Sequence, residues 1–173
     1  MGIGAHRGGG LGSVVLLLIA AAVLLRPWEQ LARPGDDPPG AQAYVVRAVD
    51  GDTIEARIDG VLEDVRYIGV DTPETVKPGA PVQCFGHRAS DFNRHLAEHR
   101  RARLVFGVER RDVYGRLLAY VYIGHRFANA ELVRRGFART LAIPPNTRYR
   151  ALFGHLELHA AQLGRGLWGA CEP

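Results

Sequence analysis

Residues 44–70 read Tyr-Val-Val-Arg-Ala-Val-Asp-Gly-Asp-Thr-Ile-Glu-Ala-Arg-Ile-Asp-Gly-Val-Leu-Glu-Asp-Val-Arg-Tyr-Ile-Gly-Val, and this stretch decides the fold. Residues 44–49 have strand character and end at an Asp-Gly pair, which favours a turn. Residues 53–58 alternate between apolar and polar side chains and end at a second Asp-Gly pair, which is typical of a hairpin. Residues 62–70 supply a third strand. The stretch therefore predicts a three-stranded meander with tight turns.

Two further strands are predicted beyond this meander, over residues 102–108 and 117–123. Five short strands with interspersed helices indicate an α+β fold that is mainly β. A small closed barrel of the OB type is the obvious candidate for such a pattern.

Three helices are predicted between and after these strands. Ala89, Phe92 and Leu96 recur at helical spacing, and residues 129–135 predict a short second helix. The last helix is expected to begin near Asn146 or Thr147, because both are good caps, and to end at Gly164. Its buried face is expected to hold Leu152, Leu156, Ala160 and Leu163.

The composition fits one ordinary domain with a real core and excludes a disordered chain. The chain has 173 residues, of which 47% are hydrophobic. Its net charge of +4 lies entirely in residues 42–173, because the basic and acidic residues before them cancel. A modestly basic domain suits a polyanionic partner. However, Lys77 is the single lysine, which points to GC-rich codon usage, so charge alone says little about nucleic acid.

An uncharged apolar segment lies near the N-terminus, between Arg7 and Arg26. Two interpretations compete, a cleaved secretory signal and a membrane span. We favour an uncleaved anchor through residues 11–25, because no clear Ala-x-Ala site follows and Trp28 suits a membrane interface. Secretion after signal cleavage is the alternative, and both interpretations export the domain. The expected division is an N-terminal segment (1–28), a linker (29–42) and the domain (43–173).

Cys84 and Cys171 are the two cysteines of the chain. An even number of cysteines in an exported domain predicts a disulfide. Such a bridge would tie the end of the chain to the segment before the first domain helix. The alternative is two unrelated thiols.

Acidic residues follow two strands of the meander. Asp52 follows the first turn, and Asp71 ends the third strand, so adjacent strands can bring the two carboxylates together. Carboxylate and carbonyl oxygens suit Ca²⁺ or Mg²⁺. An isolated Asp-Gly or Asp-Thr-Pro is usually only a turn former. Two such turns at this spacing, with Glu74 following, favour a cation site instead.

Arginines accompany these carboxylates. Arg66 lies in the middle of the third strand, where a guanidinium is costly unless it is paired or bound to an anion. Arg116 follows Tyr114-Gly115 at a turn and could point into the same cleft. Its planar guanidinium, like that of Arg66, matches the geometry of a phosphate. Glu74 could accept a proton from a water molecule beside a metal ion, or orient that water.

These motifs together resemble the signature of the staphylococcal nuclease family. The resemblance spans roughly residues 44–169 and rests on four segments. They are the Asp-Gly-Asp-Thr turn (50–53), the Arg-to-Glu run (66–74), the Tyr-Gly-Arg turn (114–116) and the helical run Asn-Ala-Glu-Leu-Val-Arg-Arg-Gly (129–136).

The resemblance implies a five-stranded OB barrel with three helices and a calcium-dependent nuclease that acts on DNA or RNA with low sequence specificity. It implies that Asp52, Asp71 and the backbone oxygen of Thr72 bind Ca²⁺. It also implies that Glu74 is the general base or positions the water, and that Arg66 and Arg116 bind the phosphate and stabilise the transition state. The products would carry 5′-hydroxyl and 3′-phosphate ends.

One stretch departs from the family pattern. Residues 140–145 lack the tyrosines expected to flank a bound base, so Tyr114 remains as a candidate stacking residue. The alternative to an enzyme is a non-catalytic OB-fold module that binds nucleic acid or another partner. The enzyme is favoured because the five side chains Asp52, Arg66, Asp71, Glu74 and Arg116 are all present. We expect a monomer without a protein partner.

Overall fold

The predicted meander forms one half of a closed β-barrel. The computed structural model describes residues 40–75, 79 and 81–171. The first three strands are β1 (Ala41–Ala48), β2 (Thr53–Ile58) and β3 (Val61–Tyr67). Each pairs antiparallel with the next, and β2 has the predicted bounds.

The third strand is shorter than predicted, because the chain turns at Gly69. Residues 62–70 were expected to form one strand, but a separate strand, β4 (Gly69–Asp71), follows β3. Gly69 has a φ of +79°, a conformation that other residues rarely adopt. A Cβ at this position would also lie 2.7 Å from the ring of Phe153. The glycine therefore directs β4, and Asp71 at its end, away from the barrel wall.

Two later strands close the barrel, β5 (Arg101–Arg111) and β6 (Leu117–Ile123). The strand order is β3-β2-β1-β5-β6, and β6 returns to pair with β3. This closing pair is parallel and joins Val65–Tyr67 to Leu117–Ala119. The predicted five-stranded OB-type barrel is confirmed.

Helices and two short strands surround the barrel, and the three predicted helices are present. The remaining elements are α1 (Gly86–Ala97), β7 (Arg126–Phe127), α2 (Ala128–Arg134), β8 (Arg139–Leu141), α3 (Arg150–Gln162) and the single turn α4 (Leu167–Ala170). The strand β8 pairs with β4, outside the barrel.

The start and the buried face of α3 differ from the prediction. The helix begins at Arg150, because the side chain of Asn146 is buried elsewhere and bonds the backbone N–H and C=O of Glu109. Phe153 and Ala160 are the fully buried residues of α3. Leu163 is 55% exposed, so its predicted burial was wrong.

The core lies inside the barrel and under the helices. Val45, Ile54, Val65, Leu104 and Val121 point inward from the five barrel strands and are fully buried. Complete burial of each such side chain contributes about 1.5–3 kcal/mol.

Cys84 and Cys171 form the predicted disulfide, with an S–S distance of 2.08 Å. The bridge joins the residue that precedes Phe85 and α1 to the residue that follows α4. The end of the domain is thereby tied to the start of its first helix.

The predicted N-terminal segment (1–28) and most of the linker (29–42) lie outside the described residues. The described residues belong to one compact unit, which spans residues 34–173. Among them, no helix is long and apolar enough to cross a membrane.

The disulfide gives a stability prediction. Replacing both cysteines, in the variant Cys84→Ser/Cys171→Ser, should lower the free energy of unfolding by up to about 4 kcal/mol, because the bridge closes a long loop in the unfolded chain. Urea unfolding followed by tryptophan fluorescence measures this change. Adding reductant to the wild-type chain should reproduce it. Two free thiols in the protein purified without reductant would contradict the prediction.

Candidate active site

The residues predicted to carry the chemistry line one cleft of about 210 Å³. It lies where β3 meets β6, beside the first turn of the meander. The lining residues are Asp50, Asp52, Arg66, Asp71, Thr72, Pro73, Glu74 and Arg116. All five side chains on which the enzyme interpretation rests are therefore brought together.

The strand pairing explains this convergence. Asp52 lies in the turn between β1 and β2, and the next residue, Thr53, is in register with Arg66 on β3. Arg66 is in register with Leu118 on β6, two residues after Arg116. Asp71 ends β4. Short turns on neighbouring strands therefore place charges from four separate segments at one end of the barrel.

Asp52 is a buried carboxylate, with 4% of its surface exposed. Its Oδ2 accepts hydrogen bonds from the backbone N–H of Thr72 (2.7 Å) and from the Thr72 hydroxyl (2.9 Å). Gly51 permits this close contact, because a Cβ there would lie 2.6 Å from the Thr72 hydroxyl oxygen. Thr72 thus fixes the orientation of the Asp52 carboxylate.

Arg66 links the two predicted metal ligands. Its Nη1 lies 3.0 Å from Oδ1 of Asp52, and its Nη2 lies 2.9 Å from Oδ1 of Asp71. The same Nη1 donates to the carbonyl oxygens of Val70 (2.9 Å) and Tyr67 (3.2 Å). The side chain is only 14% exposed. A buried guanidinium with these partners is held rigidly and is compensated by opposite charge.

Burial and neighbouring charges shift the pKa of the Asp52 carboxyl in opposite directions. Burial raises the pKa of the Asp52 carboxyl, the positive charge of Arg66 lowers it, and the nearby Asp50 carboxyl raises it again. Burial is the largest of these effects. A cation beside Asp52 would favour the ionised form.

The donor atoms in the cleft fit a hard cation. The described residues hold no group of three or more His, Cys, Asp and Glu side chains suited to a metal ion. A metal site here therefore needs main-chain oxygen and water beside the carboxylates of Asp52 and Asp71. Thr72, whose carbonyl is the predicted third ligand, lines the same cleft. A set of oxygen donors alone suits Ca²⁺ or Mg²⁺ rather than a softer metal.

Glu74 is half-buried at the edge of the cleft. Its backbone N–H donates to Oε1 of Gln83 (2.9 Å), and its carbonyl accepts from the N–H of Gln83 (3.0 Å). Its carboxylate accepts from the N–H of Thr75 (2.8 Å). Gln83, which the sequence did not indicate, therefore holds the main chain of Glu74, and the neighbouring disulfide at Cys84 tethers Gln83.

Arg116 is oriented by Asp112. The Nε of Arg116 donates to Oδ2 of Asp112 at 2.7 Å. The other carboxylate oxygen accepts the backbone N–H groups of Tyr114 and Arg116, each at 3.0 Å. Asp112 thus organises both the turn and the guanidinium. The sequence carried a signal for this role, because Asp is a common capping residue at the start of such turns.

Tyr114 stands at the border of a second cavity of about 330 Å³, which shares Arg66 and Arg116 with the cleft. Tyr114 is 81% exposed, and the Cζ of Arg116 lies 5.4 Å from the centroid of its ring. Leu141 and Ile143 line the same cavity, in the stretch without tyrosines. An apolar surface therefore adjoins the two arginines.

The fold and the cleft define a small OB-barrel protein with paired carboxylates and arginines at one end of the barrel. A family model described as "Staphylococcal nuclease homologue" matches residues 64–170. The chain is 40% identical to the thermonuclease of Staphylococcus intermedius over 159 residues, which cover 90% of this chain and 95% of that protein.

Two more comparisons agree with this match. The identity to the thermonuclease of Staphylococcus hyicus is 36% over 160 residues, covering 88% of this chain and 95% of that protein. The identity to endonuclease YncB of Bacillus subtilis (strain 168) is 42% over 124 residues, covering 70% of this chain and 59% of that protein. The chain belongs to the staphylococcal nuclease family.

The contact between Thr72 and Asp52 gives a testable prediction. Thr72→Val removes a hydroxyl that donates to a buried carboxylate, and it should lower the free energy of unfolding by about 1.5–3 kcal/mol. Urea unfolding at neutral pH measures the loss. Thr147→Val, outside the cleft, serves as the matched control and should change stability by less than about 0.5 kcal/mol. Equal effects of the two substitutions would contradict the assigned contact.

Proposed function

We propose that this protein is a calcium-dependent endonuclease that hydrolyses phosphodiester bonds of DNA, RNA or both with low sequence specificity. The observation that carries the proposal is the convergence of two carboxylates, a glutamate and two arginines on one cleft. The printed names of the relatives, thermonuclease and endonuclease, support the same activity.

Arg66 and Arg116 bind the scissile phosphate in this proposal. Both guanidiniums line the cleft and its adjoining cavity, so a phosphate between them would meet two cations. Negative charge grows on the phosphoryl oxygens in the transition state, and fixed cations aimed at that position stabilise it. Asp52 and Asp71 hold Arg66, and Asp112 holds Arg116, so little reorganisation is needed during the reaction.

Glu74 acts as the general base or orients the attacking water. The backbone bonds to Gln83 hold its main chain at the edge of the cleft. A carboxylate at this position can accept a proton from water as the oxygen attacks phosphorus. The bond from phosphorus to the 5′ oxygen then breaks, that oxygen takes a proton from solvent water to become a 5′-hydroxyl, and the phosphate remains on the 3′ side.

Asp52, Asp71 and the carbonyl oxygen of Thr72 would hold the calcium ion. A bound ion would polarise a phosphoryl oxygen and add positive charge to the site. Thr72 and Arg66 orient the carboxylates that would hold it, because Thr72 bonds Asp52 and Arg66 bonds both aspartates.

Low sequence specificity follows from contacts directed at the backbone of the nucleic acid. Phosphate contacts carry no base information. The exposed ring of Tyr114 can stack on a base, and stacking tolerates every base because each has a π-face. Leu141 and Ile143 provide only apolar contact in the adjoining cavity.

The domain works outside the cytoplasm in this proposal. The disulfide supports an oxidising compartment. Residues 11–25 anchor the chain in the membrane, or act as a signal that is cleaved before secretion. We also propose that the domain acts as a monomer.

Nucleic-acid cleavage by the full-length protein tests the proposal directly. DNA and RNA should be cut in the presence of Ca²⁺ and left intact in the presence of chelator, as judged on denaturing gels. End analysis should find 5′-hydroxyl and 3′-phosphate groups. Binding of nucleic acid without Ca²⁺-dependent cleavage would favour the non-catalytic OB-fold module instead.

Substitutions in the cleft test the assigned roles. Glu74→Gln should lower kcat by about 10²–10⁴-fold, because a general base is lost. Arg116→Ala should lower it by about 10²–10³-fold, because a transition-state cation is lost. Glu55→Gln and Arg126→Ala, which do not line the cleft, are the matched controls and should keep wild-type rates. Near-wild-type rates for the cleft variants, with unchanged folding, would refute the roles.

A further inference from the structure

Helix α1 contributes one side chain to the turn that presents Asp52. We propose that Asn93 is a positioning residue for the calcium side of the cleft, because it holds the carbonyl of Asp50 and so fixes the turn that carries Asp52. This inference rests on the proposed function in one respect, namely that Asp52 is a calcium ligand. It adds a residue whose role no sequence motif indicated.

Asn93 is completely buried and uses both ends of its amide. Its Nδ2 donates to the backbone carbonyl of Asp50 at 2.8 Å. Its Oδ1 accepts the hydroxyl of Tyr67 at 2.9 Å. Because a buried amide without partners is costly, these two bonds fix both the place and the rotation of the side chain.

The direction of the amide is set by its partners. A backbone carbonyl can only accept, so the NH₂ group of Asn93 must face Asp50. The carbonyl oxygen of the amide is then left for Tyr67, whose hydroxyl must donate. Tyr67 is buried in the barrel, and this burial raises its pKa, so it remains a donor. The two hydrogen bonds of the Asn93 amide therefore have only one possible arrangement of donors and acceptors.

Hydrogen bonds within the turn couple the position of Asp52 to that of Asp50. The carboxylate of Asp50 accepts the backbone N–H of Asp52 at 2.9 Å. The carbonyl of Asp52 accepts the N–H of Tyr67 at 2.9 Å. Asn93 and Tyr67 thus hold the turn from two sides, one from the helix and one from strand β3. The Asp52 carboxylate is left to face Arg66 and Thr72.

Loss of the Asn93 amide should lower the affinity for calcium and have little effect on the chemical step. A calcium site needs its oxygen ligands at about 2.3–2.6 Å from the ion. Substituting a side chain that orients a metal ligand, without binding the metal itself, typically changes metal affinity by about 10–100-fold. Arg116 is held by Asp112, and Arg66 keeps Asp71 and the carbonyls of Val70 and Tyr67 as partners even if Asp52 moves. The value of kcat at saturating calcium should therefore stay near that of the wild type.

The test is calcium binding by the full-length protein, measured by isothermal titration calorimetry without nucleic acid. Asn93→Leu keeps the branched shape of the side chain and removes both polar ends of the amide. We expect its Kd for Ca²⁺ to rise by about 10–100-fold. The calcium concentration that gives half-maximal cleavage should rise equally, with kcat at saturating calcium within about threefold of wild type.

A control variant separates positioning from stability. Leu132→Ala opens a cavity in the core at a fully buried residue of α2. It should lower the unfolding midpoint and keep the Kd for Ca²⁺ within about threefold of wild type. If Asn93→Leu fails to fold, Asn93→Ser, which is too short to reach Asp50, is measured with the same expectations.

The outcomes distinguish this inference from the proposed function. If the wild-type chain binds no Ca²⁺, the proposed metal dependence fails and the inference fails with it. If the wild-type chain binds Ca²⁺ and the Asn93 variant binds equally well, only the inference is overturned. A rise in Kd of the same size in Leu132→Ala would also overturn it, since the effect would then follow from general destabilisation.

Discussion

The guanidinium of Arg66, held between Asp52 and Asp71, is the interaction on which the rest of the structure depends. The two carboxylates line the same cleft and would repel each other without the arginine between them. Asp52 and Arg66 are largely buried, whereas Asp71 is 55% exposed. Removing one partner of the buried Arg66–Asp52 pair typically costs about 3–5 kcal/mol, because the remaining charge is left uncompensated. The contact between Arg66 on β3 and Asp71 on β4 also joins the wall of the barrel to β4. It therefore balances charge and holds the direction of the chain after β3.

Buried asparagine amides bond main-chain groups of the barrel where its strands are irregular. Asn93 bonds the Asp50 carbonyl, Asn129 bonds Val121 N–H and the Ile68 carbonyl, and Asn146 bonds both backbone groups of Glu109. Each satisfies main-chain groups that no strand partner reaches, as buried polar atoms require. The helices therefore do more than cover the core. Asn93 in α1 and Asn129 in α2 hold main-chain segments of the barrel in place, and Asn146 does the same from the segment before α3.

Much of the fold and the site could be predicted from the sequence, because these features have local signals. The alternation in β2, the Asp-Gly turns and the run from Arg66 to Glu74 are visible in a few residues each. The early end of β3 was missed because Gly69 breaks a run of strand-forming residues. Asn93 was missed because its partners, Tyr67 and Asp50, lie 26 and 43 positions away in the sequence. Gln83 was missed because no sequence pattern between it and Glu74 predicts their contact. Asp112 could have been found from its place before the Tyr-Gly-Arg turn.

The barrel closes through three parallel residue pairs between β3 and β6, and this short seam lies at the cleft. Arg66 belongs to one side of the seam and Arg116 immediately precedes the other. Local opening of the seam would separate the two arginines while each antiparallel hairpin stayed intact. Such partial opening requires less free energy than global unfolding. The spacing of the two arginines that line the cleft is therefore a more sensitive reporter of barrel closure than secondary-structure content.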